Sequence, residues 1–243
     1  MTILGIESAS LSASAAVLRD GKLLAFSGTN FKKTHSETLL PMISEVLEKT
    51  ETEVSSLDAI AVSVGPGSYT GLRIGITTAK GLSYAGDIPV VPVPTLAAAA
   101  YGEFGSGYLL VPTIDARGSG VYYGLFSFED GIFVTHTAHA VGSIESCVLL
   151  AEEAASSIGK KLCFLGDGAD SRREEFLSLA PDAVIAPPHV RMPSAAAAAV
   201  LGEMLFREGK AVSGYELEPV YLKKTQAEQE RLAMGLSIAP VTE

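Results

Sequence analysis

A chain of 243 residues that is 47% hydrophobic and only 19% charged, with a mean hydropathy of +0.30, has apolar material for two compact cores and is no disordered segment. Its formal net charge of −10 argues against an autonomous nucleic-acid binder, because Lys and Arg normally supply most of the affinity for phosphate. Cys147 and Cys163 lack metal-ligand spacing, the N-terminus lacks a basic, apolar leader, and no run of ~20 apolar residues offers a membrane span, so a reduced, cytoplasmic chain is expected.

Residues 3–6 read as a strand ending at an acid, Glu7, followed by a hairpin whose arms, 12–19 and 22–27, flank Asp20-Gly21, a type I′ signal. Thr34 and Glu37 have capping-box spacing, and Leu39, Ile43, Val46 and Leu47 share one face of the helix that follows, with Pro41 expected to kink its early turns. Residues 58–64 form a short apolar run closed by Gly65-Pro66-Gly67, and residues 70–85 read as a helix that Ser68 or Thr70 can cap. This glycine-rich passage fits two readings. Gly65 and Gly67 leave bare backbone beside a helix N-terminus that suits an anion, whereas glycines at 67, 71, 75 and 81 equally let a helix approach a neighbour. Arg73 lies in the first turn, where the helix dipole disfavours a cation, so it is either solvated or met by an anion or a partner's carboxylate. Residues 90–93 form a strand closed by Pro94, residues 95–104 an alanine-rich helix, and the glycines of 102–107 mark the domain boundary.

The same order then returns. Residues 109–114 are apolar and end at Asp115, and residues 121–128 and 132–138 flank a second acidic turn, Asp130-Gly131. Helices are expected at 143–157, 171–179 and 193–207, the last with a proline in its first turn, and a strand at 161–165. Residues 218–224 read as a polar connection, and 225–243 as a marginal helix or tail. A mixed sheet with helices against it, built twice, is the expected architecture.

Glu7 and Asp115 end equivalent strands, so they are placed to face one another across a cleft, with Ser8, Ser10 and Ser12 alongside; equally, each acid could merely cap a turn. Gly166-Asp167-Gly168 fits a phosphate or ribose contact or a plain loop. His136 and His139 fall on opposite faces of a strand, and His35 and His189 stand alone, so no metal site is expected.

The run Gly65-Pro66-Gly67-Ser68-Tyr69-Thr70-Gly71-Leu72-Arg73-Ile74-Gly75 closely resembles the bacterial TsaB (YeaZ) family. Residues 3–8, His35-Ser36-Glu37-Thr38-Leu39-Leu40-Pro41, Ile114-Asp115-Ala116-Arg117 and Pro219-Val220-Tyr221-Leu222 extend the likeness. The resemblance implies an α/β, actin-like, sugar-kinase-like (ASKHA) fold of two related domains, each a mixed sheet packed against helices. They are 1–105, carrying the docking helices, and 106–224, whose last helix packs back on the first domain, followed by the 225–243 tail. It implies a non-catalytic scaffold and activator in making N6-threonylcarbamoyladenosine at position 37 of tRNAs that read A-starting codons. The implied partners are a catalytic TsaD-type paralogue and a TsaE-type ATPase, with homodimers when the chain is alone and tRNA held only through the complex. The paralogue's metal motif, H-x-x-x-H, is absent from this sequence.

Docking is implied for His35, Leu39, Leu40, Ile43, Tyr69, Thr70, Leu72, Arg73 and Ile76, with Gly65, Gly67, Gly71 and Gly75 allowing close helix approach. Glu7, Ser8 and Asp115 would line a vestigial nucleotide cleft. Family members usually carry aspartate where Glu7 stands, so no firmly bound cofactor is expected, and ATP with magnesium only weakly or within the complex. The alternatives are an autonomous actin-like ATPase or small-molecule kinase, and a metallopeptidase-like protein.

Overall fold

Every other residue of the first strand faces one helical layer and the remainder face another, so this strand is buried on both sides. In the computed structural model, which describes residues 1–31, 34–103, 105–116, 118 and 120–223, it is β1 (Thr2–Glu7). It begins an antiparallel meander with β2 (Ala13–Arg19) and β3 (Lys22–Thr29), and its other edge pairs in parallel with β4 (Ala59–Gly65), which pairs in parallel with β5 (Val90–Pro94). The sheet order is β3-β2-β1-β4-β5. Leu4 and Ile6 of β1 pack under α1 (His35–Lys49) and α2 (Tyr69–Gly86), together with Ile60 and Val62 of β4. Ile3, Ala59 and Ala61 face the opposite layer. Full burial of each Leu, Ile or Val side chain among these contributes about 1.5–3 kcal/mol.

The second sheet repeats the plan. β6 (Tyr108–Asp115), β7 (Gly120–Glu129) and β8 (Ile132–Ser143) form the meander, while β9 (Lys161–Leu165) and the two-residue β10 (Val184–Ile185) extend it in parallel, giving β10-β9-β6-β7-β8. In both hairpins the Asp and the Gly have positive φ, at Asp20-Gly21 and Asp130-Gly131, as the type I′ signal requires. This is the actin-like, sugar-kinase-like plan. Leu109 and Val111 pack outward on α4 (Ile144–Ile158), and Leu110 and Ile114 pack inward.

The inner layer is exchanged between the halves. α3 (Thr95–Tyr101) follows the first sheet yet buries Leu96, Ala99 and Ala100 against Leu110, Phe126 and Leu165 of the second. Conversely, α7 (Ala195–Arg207) follows the second sheet and buries Ala198, Ala199 and Leu201 against the first. Gly5 and Gly202 permit this approach, because a Cβ on either would overlap Ala195 or Ala61.

Several local expectations are corrected. Thr34 precedes α1 but makes no side-chain cap bond, so the capping box is not formed. α7 opens at Ala195 with Ser194 as its cap, leaving Pro193 outside the helix. Gly166-Asp167-Gly168 is no plain loop: it opens α5 (Gly166–Ser171), and a break at Arg172 separates that turn from α6 (Arg173–Leu179). The expectations for Phe104, for Arg117 and for the tail beyond Lys223 lie outside the described residues. Among the described residues no helix is long and apolar enough to cross a membrane.

Candidate functional site

The glycine-rich passage sits where β4 gives way to α2. β4 ends at Gly65, whose φ of +122° excludes a side chain, and Ser68 caps α2 by accepting the Gly71 N–H at 3.3 Å. The glycines face the chain's own β1–β2 turn. A Cβ on Gly67 would overlap the Ala9 carbonyl oxygen, one on Gly71 the Ser8 carbonyl oxygen, and one on Gly75 the Ser8 hydroxyl. Their small size therefore serves packing within the chain, which corrects the expectation that Gly67, Gly71 and Gly75 admit a partner's helix. Gly81 alone of the four points into open space.

That turn uses its own polar groups. Ser8 Oγ donates to the Gly71 carbonyl at 2.9 Å, the Ser68 N–H donates to the Ala9 carbonyl at 2.7 Å, and His35 Nε2 donates to the Ser10 carbonyl at 2.9 Å. The Ala9 N–H goes to the Glu7 carboxylate at 2.6 Å, the Ser12 N–H to Ser10 Oγ at 3.2 Å, and Ser12 Oγ to the Pro193 carbonyl at 3.3 Å. The Ser8 and Ser12 hydroxyls and the Ala9 and Ser12 N–H groups of this turn are thus engaged inside the chain.

Glu7 is fully buried and is bonded by Ser63 Oγ as well as by Ala9. Burial pushes its carboxyl up to about 7, against the opposing hydrogen bonds from Ser63, Ala9 and Ser8, and the charge of Asp167 adds to the rise. Asp167, for which the sequence allows a phosphate or ribose contact or a plain loop, lies in the first turn of α5. It accepts the Asp115 N–H at 3.1 Å, and burial raises its carboxyl to about 6 despite that bond. Asp115 itself is 47% exposed and lies 3.5 Å from Arg172. Asp115, expected to face Glu7, is half-exposed beside Arg172, while of the acids in the second half Asp167 adds its charge to Glu7. A signal for it existed, since Gly166-Asp167-Gly168 follows β9 as Gly65-Pro66-Gly67 follows β4 in the repeated plan.

The outer side of α1 and α2 encloses a groove of about 470 Å³, lined in part by His35, Leu40, Tyr69, Thr70, Arg73 and Ile74. Leu40 is 58% exposed. The Arg73 guanidinium carbon lies 4.3 Å from the Tyr69 ring centroid, Tyr69 and Tyr221 have centroids 5.2 Å apart, and Arg73 Nε donates to Tyr221 Oη at 3.3 Å. Arg73 is thus held in place by two aromatic rings. Leu39, Ile43, Leu72 and Ile76 are buried in the core beneath, and of these four only Leu39 also lines the groove. Tyr221, not expected at this face, completes it.

Cys147 and Cys163 are buried, and burial pushes both thiols up to about 12, which leaves them protonated. Among the described residues no three His, Cys, Asp or Glu side chains come together as a metal-ligand set.

Residues 29–231 match the family model described as "TsaD: tRNA N6-adenosine threonylcarbamoyltransferase". The chain is 30% identical over 237 residues to the tRNA threonylcarbamoyladenosine biosynthesis protein TsaB of Escherichia coli, covering 93% of this chain and 96% of that protein. It is 39% identical over 133 residues to the TsaB of Bacillus subtilis, a match spanning 54% of this chain and 58% of that protein. Among solved structures, YeaZ from Pseudomonas aeruginosa superposes with a TM-score of 0.77 at 26% identity, covering 91% of this chain and 99% of that one. Component A of the (R)-2-hydroxyglutaryl-CoA dehydratase of Acidaminococcus fermentans, with a TM-score of 0.50 at 13% identity over 83% of this chain and 97% of that one, shares the fold alone.

Proposed function

The chain belongs to the TsaB/YeaZ family of tRNA threonylcarbamoyladenosine biosynthesis proteins, and from that footing we propose that it is the non-catalytic scaffold and activator of a threonylcarbamoyl-transfer complex. Its partners are a TsaD-type catalytic paralogue and a TsaE-type ATPase, and tRNA is reached only through the assembly. The observation that carries the proposal is the α1–α2 groove, where exposed Leu40 stands beside Tyr69 and a pinned Arg73 above a well-packed floor. Aromatic and arginine anchors fixed before binding lose little conformational entropy on docking, which is what a hot spot requires.

The β1–β2 turn supports the non-catalytic half of the reading. The Ala9 N–H, the Ser12 N–H and the Ser12 hydroxyl are bonded within the chain, and two buried carboxyls, Glu7 and Asp167, would oppose the added negative charge of a phosphate beside them. Nucleotide binding by the chain alone is accordingly weak at most. Calorimetric titration with magnesium and ATP checks this, and tight binding would favour the autonomous ATPase or kinase instead.

Two results test the scaffold role. Adding the purified chain to its cognate TsaD-type and TsaE-type proteins with tRNA, ATP, bicarbonate and threonine is expected to restore modification, and undiminished activity without it sinks the proposal. Leu40→Asp places a charge on the groove without disturbing the core, so it is expected to weaken the complex with the TsaD-type partner about tenfold, or ~1.4 kcal/mol. An unchanged dissociation constant would move the docking face elsewhere.

A further inference from the structure

The β1–β2 turn, residues 8–12, is bonded on both of its sides. Toward the groove, Ser8 Oγ holds the Gly71 carbonyl, the Ala9 carbonyl holds the Ser68 N–H, and the Ser10 carbonyl accepts from His35, which lines the groove. Toward the second half of the molecule, Ser12 Oγ donates to the Pro193 carbonyl, and in the same segment the Arg191 carbonyl accepts the Gly166 N–H at the start of α5 at 2.8 Å. Just beyond the turn, Ser14 Oγ accepts the Ala195 N–H at 2.9 Å, at the start of α7. Ser8, Ser10, Ser12 and Ser14 are all buried, so a bond stretched on one side has no water at hand to replace it. A segment this short, tied at both faces, transmits displacement between them.

We propose that residues 8–12 couple the α1–α2 groove to the interdomain cleft, so that a partner seated in the groove tightens the closure of α5 and of the 191–195 segment on the first half. The inference rests on the docking reading, and it adds that docking is felt across the cleft. The coupling is reciprocal: whatever fixes the cleft strengthens docking by the same factor.

The test is amide hydrogen exchange on the full chain, alone and saturated with the TsaD-type partner. Exchange is expected to slow in the groove, and also about tenfold at residues 166–171 and 195–197, which lie beyond the groove. Ser12→Ala removes the hydroxyl to Pro193 and its contact with Ser10 Oγ, while the Ser8, Ala9 and Ser10 bonds toward the groove keep both partners. In that variant the partner still binds, whereas the distant slowing falls below about twofold; Ser12→Thr, which keeps the hydroxyl, retains it. If no complex forms, the docking reading fails and the coupling falls with it. If the complex forms but slowing stays confined to residues 35–40 and 69–78, or if Ser12→Ala leaves the distant slowing unchanged, the coupling is overturned and docking stands. The wild-type comparison decides the matter even where a variant folds poorly.

Discussion

Gly71→Ala is expected to lower the melting temperature by about 6–12 °C, the equivalent of about 3 kcal/mol in a chain of this size. The single added methyl would overlap the Ser8 carbonyl oxygen, a backbone atom that cannot rotate away, so α2 or the β1–β2 turn must move. Either movement strains the Ser8 Oγ bond to the Gly71 carbonyl and the Ser68 N–H bond to Ala9. Gly81→Ala is the matched control on the same helix. Its Cβ meets open space, and alanine is the better helix former by up to about 1 kcal/mol, so this variant is expected to melt about 2–4 °C higher. Thermal denaturation of the two variants side by side checks the claim, and shifts of the same sign would show that Gly71 is not pressed against the turn. Gly75→Ala should fall between them, because the atom it meets is the Ser8 hydroxyl, which can rotate at the cost of one hydrogen bond.

The contrast also separates folding from docking. A bulky residue at Gly71 or Gly75 disrupts the chain itself, so loss of partner binding in such a variant carries no information about the interface. Leu40 and Arg73 are the positions where that question can be asked, because their side chains lie outside the core.

The duplicated plan was legible because both hairpins carry an Asp-Gly turn and both first strands are short apolar runs ending in an acid. α5 was not legible. Glycines at 166 and 168 are poor helix formers, and the turn is held instead by tertiary contacts, with Gly166 at φ +91° against Thr113 and Ser171 Oγ donating to the Asp167 carbonyl at 2.8 Å. Periodicity identified α1 and α2 as amphipathic, but it cannot say which apolar positions face the chain's own sheet. Leu39, Ile43, Leu72 and Ile76, for which the resemblance implies docking, are packed in the core with the sheet's own Leu4, Ile6, Ile60 and Val62. Glycine spacing names a face of α2 without naming the neighbour, here residues 8–9 of the same chain. Gly166-Asp167-Gly168 stands out in the sequence, but the effect of Asp167 on Glu7 depends on how the two halves close, which no local pattern records.

Glu7→Gln is expected to stabilise the chain at pH 8 by about 3 kcal/mol while changing little near pH 4.5. The sign follows from the direction of the shift. Burial raises the Glu7 carboxyl from its ordinary 4.5 to about 7, so the folded state holds a proton that the unfolded state has already released. The stability carried by the neutral carboxyl is complete below about 4.5 and is lost as the pH rises through about 7. Glutamine keeps the neutral form at every pH and preserves both contacts, its carbonyl accepting from Ala9 and its amide donating to Ser63 Oγ. Asp167, raised to about 6, still titrates in the variant, so the difference between the two proteins reports Glu7 together with its repulsion of Asp167. Denaturant unfolding of both at pH 5 and pH 8 measures it; parallel pH profiles would mean that the Glu7 carboxylate is not shielded from water. Because Asp167 comes from the second half, ionising both acids sets two like charges against each other across the cleft. Alkaline pH therefore weakens the contact between the two halves, and amide exchange at residues 166–171 is expected to be slower in Glu7→Gln than in the wild-type chain at pH 8.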